Sequence, residues 1–335
     1  MTIKDVARHC GVSVSTVSRA LNNRPDVSAA VRDKVLKAVE ELHYVPNSSA
    51  RELVMPAADS VGLVIRGDSQ FYGEIVTNIE NTLRESGYPT VMASLRHGED
   101  ELRAGAALAR SKRLRGLIFL GGCFDYSAEA VAALGVPFVC CTYRNVFGSL
   151  GEEKYSSVTI DDIRAGFEAT DMLISRGHRR IAVVLSTVDD SSISQLRYMG
   201  YRRALEKRDI DFDPALVLEA GEYSMASAKR AVETALAEKL DFSAVFAVSD
   251  SLAIAAMKAL RDGGKSVPED VSVVGIDGME MSAYTLPTLC TYAQPAGELG
   301  RRSAKLIIGM MEQGSGGEHI LLDPLFTEGG SVRSI

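Results

Sequence analysis

A chain of 335 residues exceeds the roughly 250 to 300 residues over which one hydrophobic core keeps growing, so more than one folded unit is expected. Hydrophobic residues at 46% and charged residues at 24% are the balance of a soluble globular protein, which excludes a disordered, collagen-like or disulfide-scaffold chain. The formal charge of −7 is uneven: residues 1 to 58 hold eight Lys or Arg against six Asp or Glu, a surplus of +2, leaving −9 for the remainder, as in a nucleic-acid-binding module attached to an acidic body.

The first fifty residues read as three short helices. Thr2 to Asp5 is a capping-box-like start, with Val6, Ala7 and Cys10 on one face, and Gly11 ends the helix. Ser13 can cap a second helix from Val14, so only a short Gly-containing turn separates the two, the definition of a helix-turn-helix. Asn22 to Asp26 is a loop, Ser28 caps a third helix, and Val31, Val35, Ala38, Val39 and Leu42 share one of its faces. Pro46 stops this unit. A stretch of about two turns follows, from Asn47 to Val54, too short to be stable without a partner.

From Ser60 onward β-rich runs (61–66, 90–94, 116–120, 137–141, 157–160, 180–185, 244–248, 271–276) alternate with helical patterns (72–85, 99–111, 128–134, 162–176, 194–208, 225–238, 250–262). This alternation predicts a doubly wound α/β core, and its length predicts two parallel sheets. The turn Gly314 to Gly317 precedes a last expected strand pair near His319 to Phe326. The five cysteines are odd in number and lack C-x-x-C spacing, so neither a disulfide framework nor a zinc ribbon is expected. Cys140 and Cys141 fall in an apolar strand, where neighbours point to opposite faces. No apolar run approaches the ~18 residues that cross a bilayer, and Met1 to Gly11 has no secretion-signal core, so a cytoplasmic protein is expected.

Enzymatic signatures are missing. The sequence holds no phosphate-binding G-x-x-x-x-G-K, no dinucleotide G-x-G-x-x-G after the first strand, no nucleophile elbow and no zinc-protease pair. Asp209 to Asp213 has some of the acid spacing of a calcium loop but lacks its Gly and runs into Pro214. A binding protein without catalysis, metal or cofactor is therefore expected. In such folds ligands sit beyond the carboxyl ends of the strands. Asp68 to Tyr72, Thr142 to Arg144, Asp161, Ser191 to Arg197, Ser249, Asp250 and Asp277 are the polar candidates there, each also readable as a helix cap or loop residue.

Thr2 to Asn22, Val27-Ser28 and Tyr44 to Asn47 closely resemble the head of the LacI/GalR family of bacterial transcription repressors. A looser resemblance runs through the body to about residue 328, with landmarks at Gly177 to Ile181, Arg197 to Gly200, Ser249-Asp250 and Val273 to Asp277. It implies a DNA-binding head at 1–45, a hinge helix and linker at 46–58, and a periplasmic-binding-protein-like core at 59–335. The core would divide into one subdomain at 59–157 plus 290–318 and another at 158–289 plus 319–335. By the resemblance Val14, Ser15 and Arg19 read bases in the major groove. Thr2, Ser13, Thr16, Asn22 and Ser28 meet phosphates. Ser48, Ala50 and Leu53 belong to the hinge in the minor groove, Leu53 as an apolar wedge. Phe71, Thr142, Arg197, Ser249 and Asp277 would line the effector pocket. The expected partners are double-stranded operator DNA, a small-molecule effector, with a sugar or sugar derivative as first choice, and a second copy of the chain. Three positions depart from the sugar-binding pattern: Thr142 for an Asp, Ser249 for an Asn, and Gly278 for a second acid. The competing expectation is a metabolite receptor with no DNA role.

Overall fold

In the computed structural model, which describes residues 2–21, 27–42, 59–67, 69–96, 98–189, 191–314 and 316–335, the first helix begins where the capping pattern places it. The Thr2 amide and hydroxyl both donate to the Asp5 carboxylate, at 2.9 and 2.8 Å. Helix α1 (Ile3–Cys10) ends at Gly11, whose φ of 61° is open to glycine without a Cβ penalty. Ser13 then caps α2 (Val14–Leu21), its Oγ accepting from the Thr16 amide at 3.1 Å. With α3 (Ala29–Glu41) these helices close a small core of Val6, Ala7, Cys10, Val17, Ala20, Val35 and Ala38. They belong to one compact unit, Met1–Ala57, distinct from Ala58–Ile335.

The second unit holds two six-stranded sheets. The first has the order β11-β5-β4-β3-β1-β2, built from β1 (Val61–Arg66), β2 (Thr90–Leu95), β3 (Gly116–Leu120), β4 (Phe138–Cys141), β5 (Ser156–Ile160) and β11 (His319–Leu322). The second has the order β12-β10-β9-β8-β6-β7, from β6 (Ile181–Leu185), β7 (Val217–Glu219), β8 (Ala244–Ala247), β9 (Ser272–Asp277), β10 (Cys290–Ala293) and β12 (Leu325–Thr327). Pairing is parallel except for β12, antiparallel to β10. Parallel strands buried on both faces need continuous apolar runs, and β3, β4, β6 and β8 supply them.

Helices cover both faces. On the first sheet, α4 (Tyr72–Glu85) and α11 (Ala296–Gln313) bury Ile75, Ile79, Leu299 and Ile307 on one side, while α5 (Glu101–Lys112) packs Leu102 and Ala106 on the other. The short α6 (Ala128–Ala132) precedes β4. On the second sheet, α7 (Asp162–Ser175), α8 (Ile193–Lys207), α9 (Met225–Ala237) and α10 (Asp250–Asp262) share one large core. Cys140 and Cys141 do face opposite sides of β4, one in each core of the first sheet. Burial raises both thiols, Cys141 to about 12, so neither is a reactive thiolate.

Sheet membership moves the division expected between the two halves. Val158 to Ile160 stay in the first sheet because β5 runs its full length before the chain leaves it, and residues 290–293 lie in the second sheet, paired with β9. The expected strand pair at the end is not a pair. β11 joins β5 and β12 joins β10, because Asp323-Pro324 carries the chain across between them. The chain thus crosses between the lobes three times, at Asp161, at Gln294-Pro295 and at Asp323-Pro324.

Candidate nucleic-acid interface and effector cleft

In the head, the spacing of α2 separates two faces. Val17 and Ala20 turn inward, while Val14, at 40% exposure, Ser15 and Arg19 are exposed at the helix start and one turn on. That is the placement a base-reading helix needs, since its first turns enter the groove. Ser13, Ser15 and Thr16 form a hydroxyl cluster at the N-terminus of α2, with Ser13 Oγ 2.7 Å from Ser15 Oγ and 2.8 Å from Thr16 Oγ1. Thr2 and Ser28 are exposed at the starts of α1 and α3. Helix N-termini of this kind favour phosphate oxygens. Asn22, Ser48, Ala50 and Leu53 lie outside the described residues.

In the core, the cleft lies between the lobes at the carboxyl ends of both sheets. Its floor is an ionic cluster around Arg197 on α8, which is only 1% exposed. Arg197 Nε donates to Asp162 at 2.9 Å, and Nη1 donates to Asp277 at 3.1 Å and to the Val248 carbonyl. Gln294 Nε2 donates to the same Asp277 oxygen at 2.8 Å. Burial pushes the Asp277 carboxyl up to about 7 against the pull of Arg197, and burial raises Asp162 as well. Two phenols complete the surroundings: Tyr72 on α4 and Tyr223 before α9, both raised first by burial and next by the Asp277 charge. One comes from each lobe, so the cluster lies where the lobes meet.

A close helix crossing positions Arg197. A Cβ on Gly200 would stand 2.1 Å from the Ile163 carbonyl oxygen, and one on Gly166 would stand 2.2 Å from the Arg197 carbonyl oxygen. These two glycines let α7 and α8 touch backbone to backbone, which brings Asp162 and Arg197 together.

The remaining pocket candidates separate. Thr142, buried after β4, has φ 76°, and Asp277 has φ 130°; Ser191, with φ 49°, lies across the cleft and accepts from the Phe124 amide at 3.2 Å. Three non-glycine residues at positive φ around one cleft mark a place where backbone strain is retained. Phe71 is buried with Ile75 and Ile79 in the first lobe's core. Ser249 caps α10, its Oγ accepting from the Leu252 amide at 3.4 Å. Asp250 is structural: its carboxylate accepts from Thr291, Ser282 and the Met279 amide. Gly278 departs from the acid expected there for a physical reason, since its φ is 72° and a Cβ would meet Ala293 Cβ at 2.3 Å. Arg144 pairs with Glu152. Tyr72, from the expected stretch Asp68 to Tyr72, belongs to the cluster, and Asp162, Gln294 and Tyr223 complete it without having been singled out. Asp162 and Gln294 could have been suspected from their position just beyond strand ends.

A helix-turn-helix with an exposed recognition face, together with a two-lobed core whose strained, charged floor lies between its lobes, defines a ligand-responsive DNA-binding regulator. Residues 2–47 match the model for bacterial regulatory proteins of the lacI family, and residues 170–332 match a periplasmic binding protein-like domain. Over the full length of both chains, 35% of residues are identical to the HTH-type transcriptional regulator MalR of Clostridium butyricum. Identity to the HTH-type transcriptional regulator CelR of Thermobifida fusca is 36%, covering 92% of this chain and 91% of that one. The chain belongs to the LacI family of bacterial transcriptional regulators. Among solved structures, a transcriptional regulator CelR-cellobiose complex matches with TM-score 0.72 at 31% identity, covering 99% of each chain. The lac repressor dimer bound to operator and the anti-inducer ONPF matches with TM-score 0.75 at 26% identity, covering 100% of this chain and 99% of that one. Among the described residues no helix is long and apolar enough to cross a membrane.

Proposed function

We propose that this regulator is a cytoplasmic repressor that binds a near-palindromic operator as a dimer, reading bases with Val14, Ser15 and Arg19, and releases or tightens its grip when a small polyhydroxy compound enters the core cleft. Its chemistry is binding, with no catalytic step. The observation that carries the reading is the exposed face of α2 beside a helix N-terminus rich in hydroxyls. Arg19 suits a bidentate contact to guanine, and Val14 offers methyls to thymine. The relatives support the ligand half: one solved neighbour is a cellobiose complex, another a dimer on operator. In the cleft, Asp277 can accept from ligand hydroxyls while Arg197 holds it in place. We assign Asn22 and Ser28 to phosphate contacts, and Ser48, Ala50 and Leu53 to the minor groove. The test is fluorescence anisotropy with DNA from the gene's own neighbourhood. Affinity should fall steeply with salt, because most contacts are to phosphate. Affinity that is indifferent to scrambling one half-site would refute the dimer on a palindrome.

A further inference from the structure

The first lobe brings one more cation to the cleft. Arg66 is the last residue of β1, with a side chain 16% exposed. Its guanidinium lies against the Cys123 sulfur, and Nη1 stands 3.5 Å from the Glu101 carboxylate. Glu101 is 3% exposed, and its other oxygen is already taken at 2.7 Å by both the Cys123 amide and the Tyr126 hydroxyl. At 3.5 Å the Arg66 contact is longer than the ~2.7 to 2.9 Å of a charge-assisted hydrogen bond, so Glu101 answers the Arg66 charge incompletely. The Nε–H of Arg66 is buried and has no hydrogen-bond partner, a donor that native interiors rarely leave unmade. Arg197 is the opposite case, with its bonds made to Asp162, Asp277 and Val248. Gly121 stands against both Arg66 and Tyr72, since a Cβ there would meet the Tyr72 hydroxyl oxygen at 2.4 Å and the Arg66 carbonyl oxygen at 3.1 Å, which sets Arg66 beside the phenol that borders the ionic cluster.

We infer that the effector carries an anionic group, a carboxylate or a phosphate, that docks on the Nε edge of Arg66. The inference rests on the regulator reading above and narrows its ligand class. The Nε and Nη hydrogens along one edge of a guanidinium match the two oxygens of a carboxylate or phosphate, and a lone hydroxyl or a neutral ring matches only one of them. The rest of the ligand reaches Asp277 across the cleft. Sugar acids and sugar phosphates share this chemistry.

The experiment is calorimetric titration of the full chain with matched compounds: glucose, glucuronate and glucose 6-phosphate; galactose and galacturonate; ribose and ribose 5-phosphate. At least one anion is expected to bind on the order of 10- to 100-fold more tightly than its neutral twin, the gain of a hydrogen bond to a charged group. The carboxylate and phosphate members separate the two sources. In Arg66→Gln/Glu101→Gln, which removes both charges together and so avoids stranding a buried carboxylate, that ratio should fall to about one, with the melting temperature recorded to establish folding. Arg66→Lys, which keeps the charge but lacks Nε, should give an intermediate ratio. A neutral sugar that binds as tightly as its acid, a preference that survives in the double variant, or no anion binding at millimolar concentration would each overturn the inference. A neutral sugar that binds and alters operator affinity would overturn this inference alone, leaving the regulator reading intact.

Discussion

Replacing Arg197 by Ala tests the ionic floor of the cleft most directly. The guanidinium is 1% exposed and is shared by Asp162 at 2.9 Å and Asp277 at 3.1 Å. Its removal leaves two buried carboxylates with no cation between them, and breaking a buried pair in this way costs about 3 to 5 kcal/mol. For a core of this size that corresponds to a fall in melting temperature of roughly 6 to 20 °C. The deficit should depend on pH with a definite sign. Burial already raises Asp277 to about 7 and raises Asp162, and losing Arg197 raises both further. A carboxyl whose folded value lies above its unfolded value stabilises fully at low pH and loses that contribution as pH rises through the folded value. The variant should therefore lag the native chain more at pH 8 than at pH 5, in thermal melts followed by circular dichroism. A deficit below about 1 kcal/mol, or one that grows on acidification, would show that the cluster does not hold α7, α8 and the end of β9 together. It follows that Arg197→Ala is a poor probe of ligand response alone.

Asp277→Asn is the better probe, because it keeps the shape and an acceptor for Gln294. Melting should change little while effector affinity drops by about 2 to 5 kcal/mol, measured by titration; unchanged affinity would move the pocket elsewhere. Arg19→Ala should cost ~1 to 3 kcal/mol at one base pair and relax specificity there, read by competition among operator variants; an unchanged preference makes Arg19 a phosphate contact. Gly200→Ala places a methyl 2.1 Å from the Ile163 carbonyl oxygen and should lower stability by ~1 to 3 kcal/mol, with an unshifted melt contradicting the close helix crossing. His178 is buried with Nδ1 at Ser243 and Nε2 at the Arg333 carbonyl, and burial lowers its basicity. The unfolded chain takes up this proton first, so stability should decline as pH falls through about 6.5, and His178→Gln should flatten that decline.

The alternation of strands and helices was legible because parallel strands and amphipathic helices leave different periods in the sequence. The missed 18-residue α11 has a readable face, Leu299, Ala304, Ile307 and Met310, but Gly297 and Gly300 near its start lower its helix propensity. Gly300 is there because its Cβ would stand 2.5 Å from the Ile75 carbonyl oxygen, a tertiary reason that local propensity does not carry. The sheet membership of β10, β11 and β12 was equally hidden, since short edge and crossing strands are set by pairing across the fold. At the site, Arg197 and Asp277 were found from their position, but their mutual pairing with Asp162 and Gln294 depends on a helix crossing and a strand end far apart in sequence. The orphaned Nε of Arg66 has no sequence signature.

The three passages of chain between the lobes have a mechanical meaning. A body joined to another by one strap can swing, twist and slide; joined by three roughly side by side, it keeps one easy motion, folding about the line through the straps. Two of these passages carry parts of the ionic floor, Asp162 immediately after the first and Gln294 within the second, and Arg164 ties the first to the third through Asp323 at 3.0 Å. If the effector binds Asp277 as proposed above, it would pull at the fold line itself, where a displacement of a fraction of an ångström would be levered into a larger one at the lobes' far ends.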